Sequence, residues 1–581
     1  MLQKKTLLRK LLFAIILLLL IATLGLIILL YMEQKTQKDP VCRSAACRVI
    51  GASIRKSLDL RADPCHDFYA YCCGGWLKTH EVPPDMKKFG VTEQLENEVL
   101  LKINGLLTSS YSSGIAWKNA VKFYNSCMNM TAIEKRGPAP LLAYFTRFGG
   151  WPLLNKEWQE KDFDWMTALA VIQLTTGYGY VIPVIIGTDP KNTSRKLLQL
   201  DQPNLLFSEE ILRQPNSESS KSQLQKFQKF FTKITMLLGA DISTISEYFN
   251  SLLEFEIKLF EMMSPEENMK NISYWYNTMT VGDLQRKIPE VNWMRFLQEL
   301  TNSSLLLLNG KPTIQYEDII IVRDPLYIEK ISKYLRDASH IRHIANYLGC
   351  RVAMSLMLHL PKNFSDALYE YYGDLGYTFR SPERWKTCTK RVSSFFNEVT
   401  VFAYVDKYFP KHVKNEVNKL VLDISFQFEN ILLSNDWMDS ITKNAALKKL
   451  RAMKANVGYP DWIGDENNIN DVYLKENMPT MDDNVFENDV KLVEHKVMQL
   501  IKTLRLKLEE EEWPISPIEI NAGYNRNLNA VTFPAAFLQL PLYDSSLPPY
   551  FNYAAIGSII GHEITHGFDN EGNIWNSHKY L

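Results

Sequence analysis

The sequence has no excess of charge of either sign, since 65 Lys and Arg residues balance 65 Asp and Glu residues. It also contains no internal repeat and no low-complexity linker. Without a basic excess there is no electrostatic basis for nucleic-acid binding, and no such partner is expected. Aromatic residues at 12% and hydrophobic residues at 46% are typical of a folded protein. The 581 residues suffice for two or more lobes with large cores.

The spacing of the 8 cysteines does not resemble that of a zinc finger. In an oxidising compartment, disulfide bonds are the expected alternative. Triplets of the form Asn-x-Ser/Thr, which accept glycans in extracellular proteins, agree with that compartment, although such triplets also arise by chance. The candidate acceptors are Asn129, Asn192, Asn271, Asn302 and Asn363.

A long apolar run near the N-terminus predicts a membrane anchor. Residues 11–32 are apolar or small, which is about the length that crosses a bilayer as a helix. Basic residues precede the run, so residues 1–10 are expected in the cytoplasm and the remainder outside. The alternative is a cleaved signal peptide, but the run is longer than a typical signal h-region and no small-x-small site follows it. We predict a single-pass type II plasma-membrane protein with a juxtamembrane segment at 33–60 and an ectodomain at 61–581.

Hydrophobic periodicity predicts a mainly α-helical fold with small β elements. The clearest helix covers residues 415–433, where apolar side chains recur at alternating intervals of three and four and form one buried stripe. A second helix is predicted through residues 445–450. It is expected to end at Gly458, with Pro460 beyond it, because this is the usual order of helix stop signals.

Short β-rich runs predict strands at 180–187, 196–200 and 318–322, the first two forming a hairpin. Near the C-terminus, residues 521–534 have the pattern strand, turn, strand. Pro534 indicates an edge strand, because proline cannot donate a ladder hydrogen bond. An exposed strand edge can hold an extended peptide by main-chain hydrogen bonds, although a plain structural hairpin is the alternative.

The chemically informative motif is His562-Glu563-Ile564-Thr565-His566. Two histidines four residues apart project from one face of a helix, so both imidazoles can reach the same ion. Glu563 faces the same cleft, where it can act as a general base towards a water molecule. A pattern of five residues also fits surface side chains on an ordinary helix. The interpretation as a zinc site therefore depends on the flanking sequence.

Several blocks, taken in order, resemble the neprilysin family, type II membrane zinc metalloendopeptidases of the gluzincin clan. The blocks are the N-terminal anchor and residues 63–76, 437–460, 521–524, 533–539 and 561–569. The resemblance implies a gluzincin-type fold with two largely helical lobes around a central cavity. It implies a family N-terminal domain at about 61–465 and the start of the catalytic zinc domain at about 466–581. It further implies one zinc ion per chain, held in part by His562 and His566, and oligopeptide substrates.

The resemblance also implies roles for individual residues in substrate binding. Asn521 and Ala522 are expected to bind the substrate backbone. The pocket for the residue after the scissile bond is expected to be lined by Leu542, Ser558 and Ile559, which predicts cleavage on the amino side of hydrophobic residues. At the position of a family arginine that binds the free carboxylate of short substrates, this chain has Glu96, which is expected to repel that carboxylate.

Disulfide bonds are implied in the same way, as Cys42–Cys47 and Cys127–Cys388. Cys65 and Cys73 match cysteines whose family partners lie in the C-terminal part that this sequence does not contain, so both are expected to be unpaired. Cys72 and Cys350 have no obvious family counterpart, and mispairing of Cys72 or Cys73 is the alternative.

The sequence departs from the family at the third zinc ligand, which there lies in a Glu-x-x-x-Asp block some tens of residues beyond the second histidine. Only Asp569, Glu571 and His578 follow His566 as possible donors. We therefore expect the chain to be catalytically incomplete, with weak zinc binding and no activity by itself. The alternative function is a non-catalytic, membrane-anchored peptide-binding or regulatory protein. The sequence predicts no particular oligomeric state.

Overall fold

The computed structural model describes residues 22–25, 42–301, 314–378, 380–505 and 513–572. Apart from residues 22–25, the predicted anchor lies outside the described residues, as do Asn302 and His578. Within the described ranges, no helix is both long and apolar enough to cross a membrane. The fold is mainly helical with two small sheets, as predicted.

The helices of the described ranges are numbered in chain order. They are α1 Ala45–Ser57, α2 Phe68–Thr79, α3 Val91–Leu107, α4 Ile115–Met128, α5 Met130–Arg136, α6 Ala139–Phe145, α7 Trp165–Thr176, α8 Glu209–Arg213, α9 Glu218–Leu237, α10 Ile242–Met262, α11 Glu266–Lys270, α12 Ile272–Trp275, α13 Val281–Lys287, α14 Trp293–Thr301, α15 Pro325–Arg336, α16 Ile341–Leu356, α17 Lys362–Asp374, α18 Arg384–Phe395, α19 Asn397–Tyr408, α20 Lys411–Ser434, α21 Ser440–Arg451, α22 Glu466–Lys475, α23 Val485–Lys502, α24 Pro549–Ala554 and α25 Ile556–His566.

The chain divides into two compact units. The smaller unit comprises Met1–Thr79 and Tyr543–Ala555 and contains α1, α2 and α24. The larger unit comprises His80–Leu542 and Ile556–Leu581 and contains the other helices and both sheets. Large aromatic side chains such as Trp293, Tyr327 and Tyr347 are fully buried in the core of the larger unit.

The four-stranded sheet has the order β1-β2-β4-β3, with β1 Val184–Asp189, β2 Asn192–Leu200, β3 Thr278–Thr280 and β4 Ile319–Val322. Strands β1 and β2 form the predicted hairpin, and β4 is the strand predicted at 318–322. The hairpin strands extend closer to the turn than predicted, since Asp189 pairs with Asn192.

The three-stranded sheet contains both strands of the segment predicted as strand, turn, strand at 521–534, and it corrects two predictions. Its order is β5-β7-β6, with β5 Lys454–Gly458, β6 Gly523–Asn525 and β7 Ala530–Pro534. The helix predicted to continue to Gly458 instead ends at Arg451, and the following segment is β5, which pairs in parallel with β7. Local signals missed this strand because its partner lies far along the chain, with Lys454 opposite Ala530.

The prediction that Pro534 marks an edge strand is wrong. Strand β7 is central, paired with β5 along its whole length and with β6 over Ala530–Thr532. Proline is tolerated because β6 no longer pairs at position 534, so no ladder hydrogen bond is lost on that side. The edge strands are β5 and β6, and β6 follows Asn521 and Ala522 directly.

The long helix predicted at 415–433 is confirmed as α20, whose bounds extend slightly beyond it at both ends. Both predicted disulfides, Cys42–Cys47 and Cys127–Cys388, are also confirmed. The remaining cysteines are free, namely Cys65, Cys72, Cys73 and Cys350. The second disulfide joins α4 to α18 within the larger unit.

The candidate glycan acceptors within the described residues are all exposed. They are Asn129, Asn192, Asn271 and Asn363. Exposure is necessary for modification and does not demonstrate it, so glycosylation stays a prediction.

Candidate metal centre

Helix α25 carries the His-Glu-x-x-His motif and is fixed by its apolar face. Ile556, Ile560 and Ile564 recur every four residues and are fully buried. The helix packs on α20, and just past its end the ring of Phe568 lies 5.2 Å from that of Phe428. Burial of this face turns the histidines towards the opposite, open side.

The two imidazoles of the motif converge. His562 Nε2 and His566 Nε2 lie 3.0 Å apart, and the ring planes are nearly perpendicular. Two ring nitrogens directed at one point are what shared coordination of an ion requires. The structure therefore brings together the two predicted ligands.

Asp569 orients the second histidine. Its Oδ2 lies 2.7 Å from His566 Nδ1, while its Oδ1 accepts hydrogen bonds from the backbone N–H groups of Glu571 and Gly572. Burial opposes ionisation, but the hydrogen bonds from His566 and the two N–H groups outweigh it and lower the pKa of Asp569. An ionised carboxylate on Nδ1 leaves Nε2 as the nitrogen that would bind a metal ion.

Glu563 is well placed to be a base. Its residue is only 7% exposed, and its carboxylate accepts a hydrogen bond from the backbone N–H of Tyr524. Burial raises the pKa of Glu563, and the neighbouring imidazoles partly oppose this effect. A carboxylate with a raised pKa is a stronger proton acceptor than an ordinary one.

The motif opens into a cavity of about 770 Å³. Asn521 and Ala522, predicted to bind the substrate backbone, line it together with His562, Glu563 and His566. The predicted pocket residues do not line this cavity. Ser558 and Ile559 stand four residues before His562 and Glu563 on α25, and the Leu542 carbonyl accepts a hydrogen bond from the first residue of that helix.

A second cavity has a volume of about 810 Å³. It is lined by Ser516 and Ile518–Ile520, which directly precede the residues Asn521–Gly523 that line the first cavity. Glu96 lines this second cavity. Its carboxylate is 2.6 Å from the Lys390 ammonium, which lines the same space. The expected repulsion of a substrate carboxylate by Glu96 is therefore offset by a paired cation.

The donors present fit zinc as part of a tetrahedral set. Imidazole nitrogen is a preferred zinc ligand, and a carboxylate behind one imidazole is the usual support. In the described part of the chain, however, no three His, Cys, Asp or Glu side chains are grouped closely enough to hold a metal. Asp569 is engaged with His566, and Glu571 pairs with Arg526.

Sequence reasoning did not find Lys449 or the role of Tyr524. Lys449 lies between Leu447 and Leu450 on α21, and all three are buried. A lysine close to apolar residues on a predicted helix could have indicated a buried cation from the sequence. The Tyr524 contact is made by backbone and leaves no such signal.

Comparison with known proteins agrees with this geometry. Two models described as peptidase family M13 match the chain, one over residues 64–460 and the other over residues 521–580. Neprilysin-1 of Trittame loki is 28% identical over 545 residues, 92% of this chain and 74% of that protein. Human neprilysin is 29% identical over 558 residues, 93% of this chain and 73% of that protein.

Among solved structures, the Mycobacterium tuberculosis zinc metalloprotease ZMP1 in complex with inhibitor superimposes with a TM-score of 0.76 at 22% identity. The match covers 90% of this chain and 76% of that one. At this identity the likeness concerns the fold.

Proposed function

The chain belongs to peptidase family M13, and we propose on this basis that its site is built to hydrolyse peptide bonds in extracellular oligopeptides with one zinc ion. The observation that supports this most directly is the convergence of His562 Nε2 and His566 Nε2 at 3.0 Å, with the buried Glu563 between them in sequence. Zinc, when bound, supplies a Lewis acid that makes water more acidic and polarises the scissile carbonyl.

The protein's own groups transfer the proton and bind the substrate. Glu563, held by the Tyr524 N–H, takes a proton from the attacking water and returns it to the leaving amine. Strand β6 is an edge of its sheet, so an extended substrate can pair beside it, with Asn521 and Ala522 binding the substrate backbone. Cleavage on the amino side of hydrophobic residues stays a prediction from the sequence, because Leu542, Ser558 and Ile559 do not line the cavity.

We also propose that the 581-residue polypeptide by itself lacks peptidase activity. Two imidazoles with no third protein donor grouped beside them in the described ranges should hold zinc weakly. The test is to measure zinc content by mass spectrometry, and cleavage of a quenched fluorescent peptide, on the purified chain. A chelator-sensitive activity that disappears in Glu563→Gln would refute the proposal of inactivity.

A second function is worth testing because the β6 edge and the cavity do not depend on a third ligand. This second function is that of an anchored, non-catalytic peptide-binding or regulatory protein. Calorimetric titration with an uncleaved oligopeptide separates the two functions. Binding without zinc and without turnover supports the binding function, and no binding removes it.

The location is proposed from the sequence alone. Residues 11–32 form the anchor, residues 1–10 are cytoplasmic, and the body of the protein is extracellular. Protease treatment of intact cells expressing the chain should remove residues beyond the anchor, and protection of those residues would contradict the proposal. The two-lobed arrangement and the division near residue 465 remain predictions.

A further inference from the structure

Lys449 is a buried cation close to the metal centre that the proposed mechanism does not use. Its residue is only 5% exposed. The Nζ donates a hydrogen bond of 2.6 Å to the carbonyl of Gly572. The same ammonium lies 5.7 Å from the ring centres of Tyr524 and Phe568. These contacts come from two separate segments of the chain.

The first segment is the turn that supports His566. The Gly572 N–H donates to Asp569, and Asp569 in turn contacts His566 Nδ1. The turn packs tightly against the end of α25. A Cβ at Gly572 would lie only 2.0 Å from the carbonyl oxygen of His566. Lys449 donates to the Gly572 carbonyl and so fixes the end of the turn at 569–572. Asp569, at the start of that turn, orients the His566 imidazole.

The second segment is β6, which supports Glu563. Tyr524 donates its backbone N–H to Glu563, and its ring lies beside the Lys449 ammonium. The Tyr524 hydroxyl donates to Asn529, whose amide donates in turn to the Lys449 carbonyl. Both the side chain and the backbone of Lys449 are thus linked to the strand that positions the base.

Packing alone does not account for a lysine at this position. A methionine has similar length and would fill the space without the cost of removing an ammonium from water. That cost is visible in the pKa of Lys449, which burial lowers to about 8 while the charge of Asp569 opposes the shift. Its charge is balanced by the carboxylate that contacts His566.

We propose that Lys449 is a positioning residue that joins the Asp569–Gly572 turn to β6 and so aligns His566 and Glu563 with each other. The assignment rests on the proposed function, in which His566 binds zinc and Glu563 takes the proton from the attacking water. It predicts that loss of the ammonium disturbs the tautomer of His566 and weakens zinc binding without unfolding the chain.

The test uses the full 581-residue chain and Lys449→Met, with Lys448→Met as the matched control. Lys448 is the exposed neighbour on the same helix, so both substitutions remove one charge and differ in burial. Zinc affinity is measured by competition with a chelating dye. Lys449→Met should lose about 10- to 100-fold in affinity, and the control less than about 2-fold. Equal affinities for Lys449→Met and the unmodified chain would overturn the proposal.

A metal-free measurement separates failure of this proposal from failure of the proposed function. NMR of isotope-labelled histidine, assigned with His566→Gln, reports which nitrogen of His566 carries the proton. The unmodified chain and Lys448→Met should show the proton on Nδ1, and Lys449→Met a mixture. If the unmodified chain binds no zinc, the proposed function fails, and the tautomer still decides the role of Lys449.

A double-mutant cycle with Asp569→Asn excludes a merely structural role. If Lys449 acts through the turn, its substitution should change zinc affinity much less when Asp569 is already altered. Additive effects would overturn the proposal. Should Lys449→Met fail to fold by circular dichroism, Lys449→Gln retains a donor for the Gly572 carbonyl without the charge. An unchanged tautomer and affinity in that variant would likewise overturn it.

Discussion

Replacing Asp569 by asparagine should weaken zinc binding while leaving the fold intact. The side chain keeps its shape, and its carbonyl oxygen can still accept from the N–H groups of Glu571 and Gly572. The other terminal atom becomes an NH₂ group facing His566 Nδ1, where the carboxylate stood at 2.7 Å. To accept a hydrogen bond from that group, Nδ1 must lose its proton to Nε2. A protonated Nε2 cannot bind the ion.

The expected loss follows from the role of a carboxylate behind a ligating imidazole. Such partners contribute about 10- to 100-fold in affinity, or about 1.4–2.8 kcal/mol. The pKa of Asp569 is lowered, so its carboxylate is ionised throughout the neutral range where zinc binds neutral histidine. The loss should therefore be the same at about pH 7 and about pH 8.

Competition with a chelating dye measures the affinity, and thermal unfolding confirms the fold. Asp465→Asn is the matched control, because Asp465 also accepts a backbone N–H, from Asn467, but has no histidine behind it. Asp569→Asn with the zinc affinity of the control would show that the carboxylate does not set the tautomer. The reasoning about His566 would then be refuted.

Three further variants test contacts that stabilise the fold. Replacing both Cys127 and Cys388 by serine opens a loop of 261 residues and should destabilise the chain by up to about 5 kcal/mol in urea unfolding, whereas an unchanged midpoint would exclude a stabilising disulfide. Gly572→Ala should lower both the melting temperature and zinc affinity, because its Cβ would meet the His566 carbonyl at 2.0 Å; wild-type values for both would contradict this close approach. Asp489→Asn should lower the free energy of unfolding by about 3–5 kcal/mol at neutral pH, since it leaves the His359 imidazole and the Arg391 guanidinium without their buried partner. Burial opposes ionisation of Asp489, but these neighbours lower its pKa, so its stabilisation is present above the unfolded-state pKa and is lost as pH falls through the folded-state pKa; a constant difference across that range would refute the assignment.

Local patterns were sufficient for the elements whose signals are local. The stripe of apolar residues predicts α20 because a buried helix face repeats within a few residues. The hairpin of β1 and β2 is likewise encoded by two adjacent runs and a turn. The motif on α25 specifies two converging imidazoles because a separation of four residues is one helical turn.

Features that depend on distant segments were not accessible in the same way. Strand β5 follows a helix and ends in glycine, with proline shortly beyond it, signals that fit a helix end equally well. What makes it a strand is parallel pairing with β7, and no local pattern reports that partner. The pairing of Glu96 with Lys390 has the same origin, because the two residues lie 294 positions apart.

The site combines two levels of organisation that respond differently to substitution. The orientation of His566 and Glu563 is set by backbone groups of the turn at 569–572 and of β6, all within the described chain. The affinity for zinc depends in addition on the number of donors, and the two imidazoles that converge within the described residues are fewer than a stable tetrahedral site uses. Orientation can therefore be intact where affinity is low. Substitutions of Asp569 or Lys449 should consequently change the histidine tautomer even in metal-free protein, whereas a supplied third donor would raise affinity and leave that tautomer unchanged.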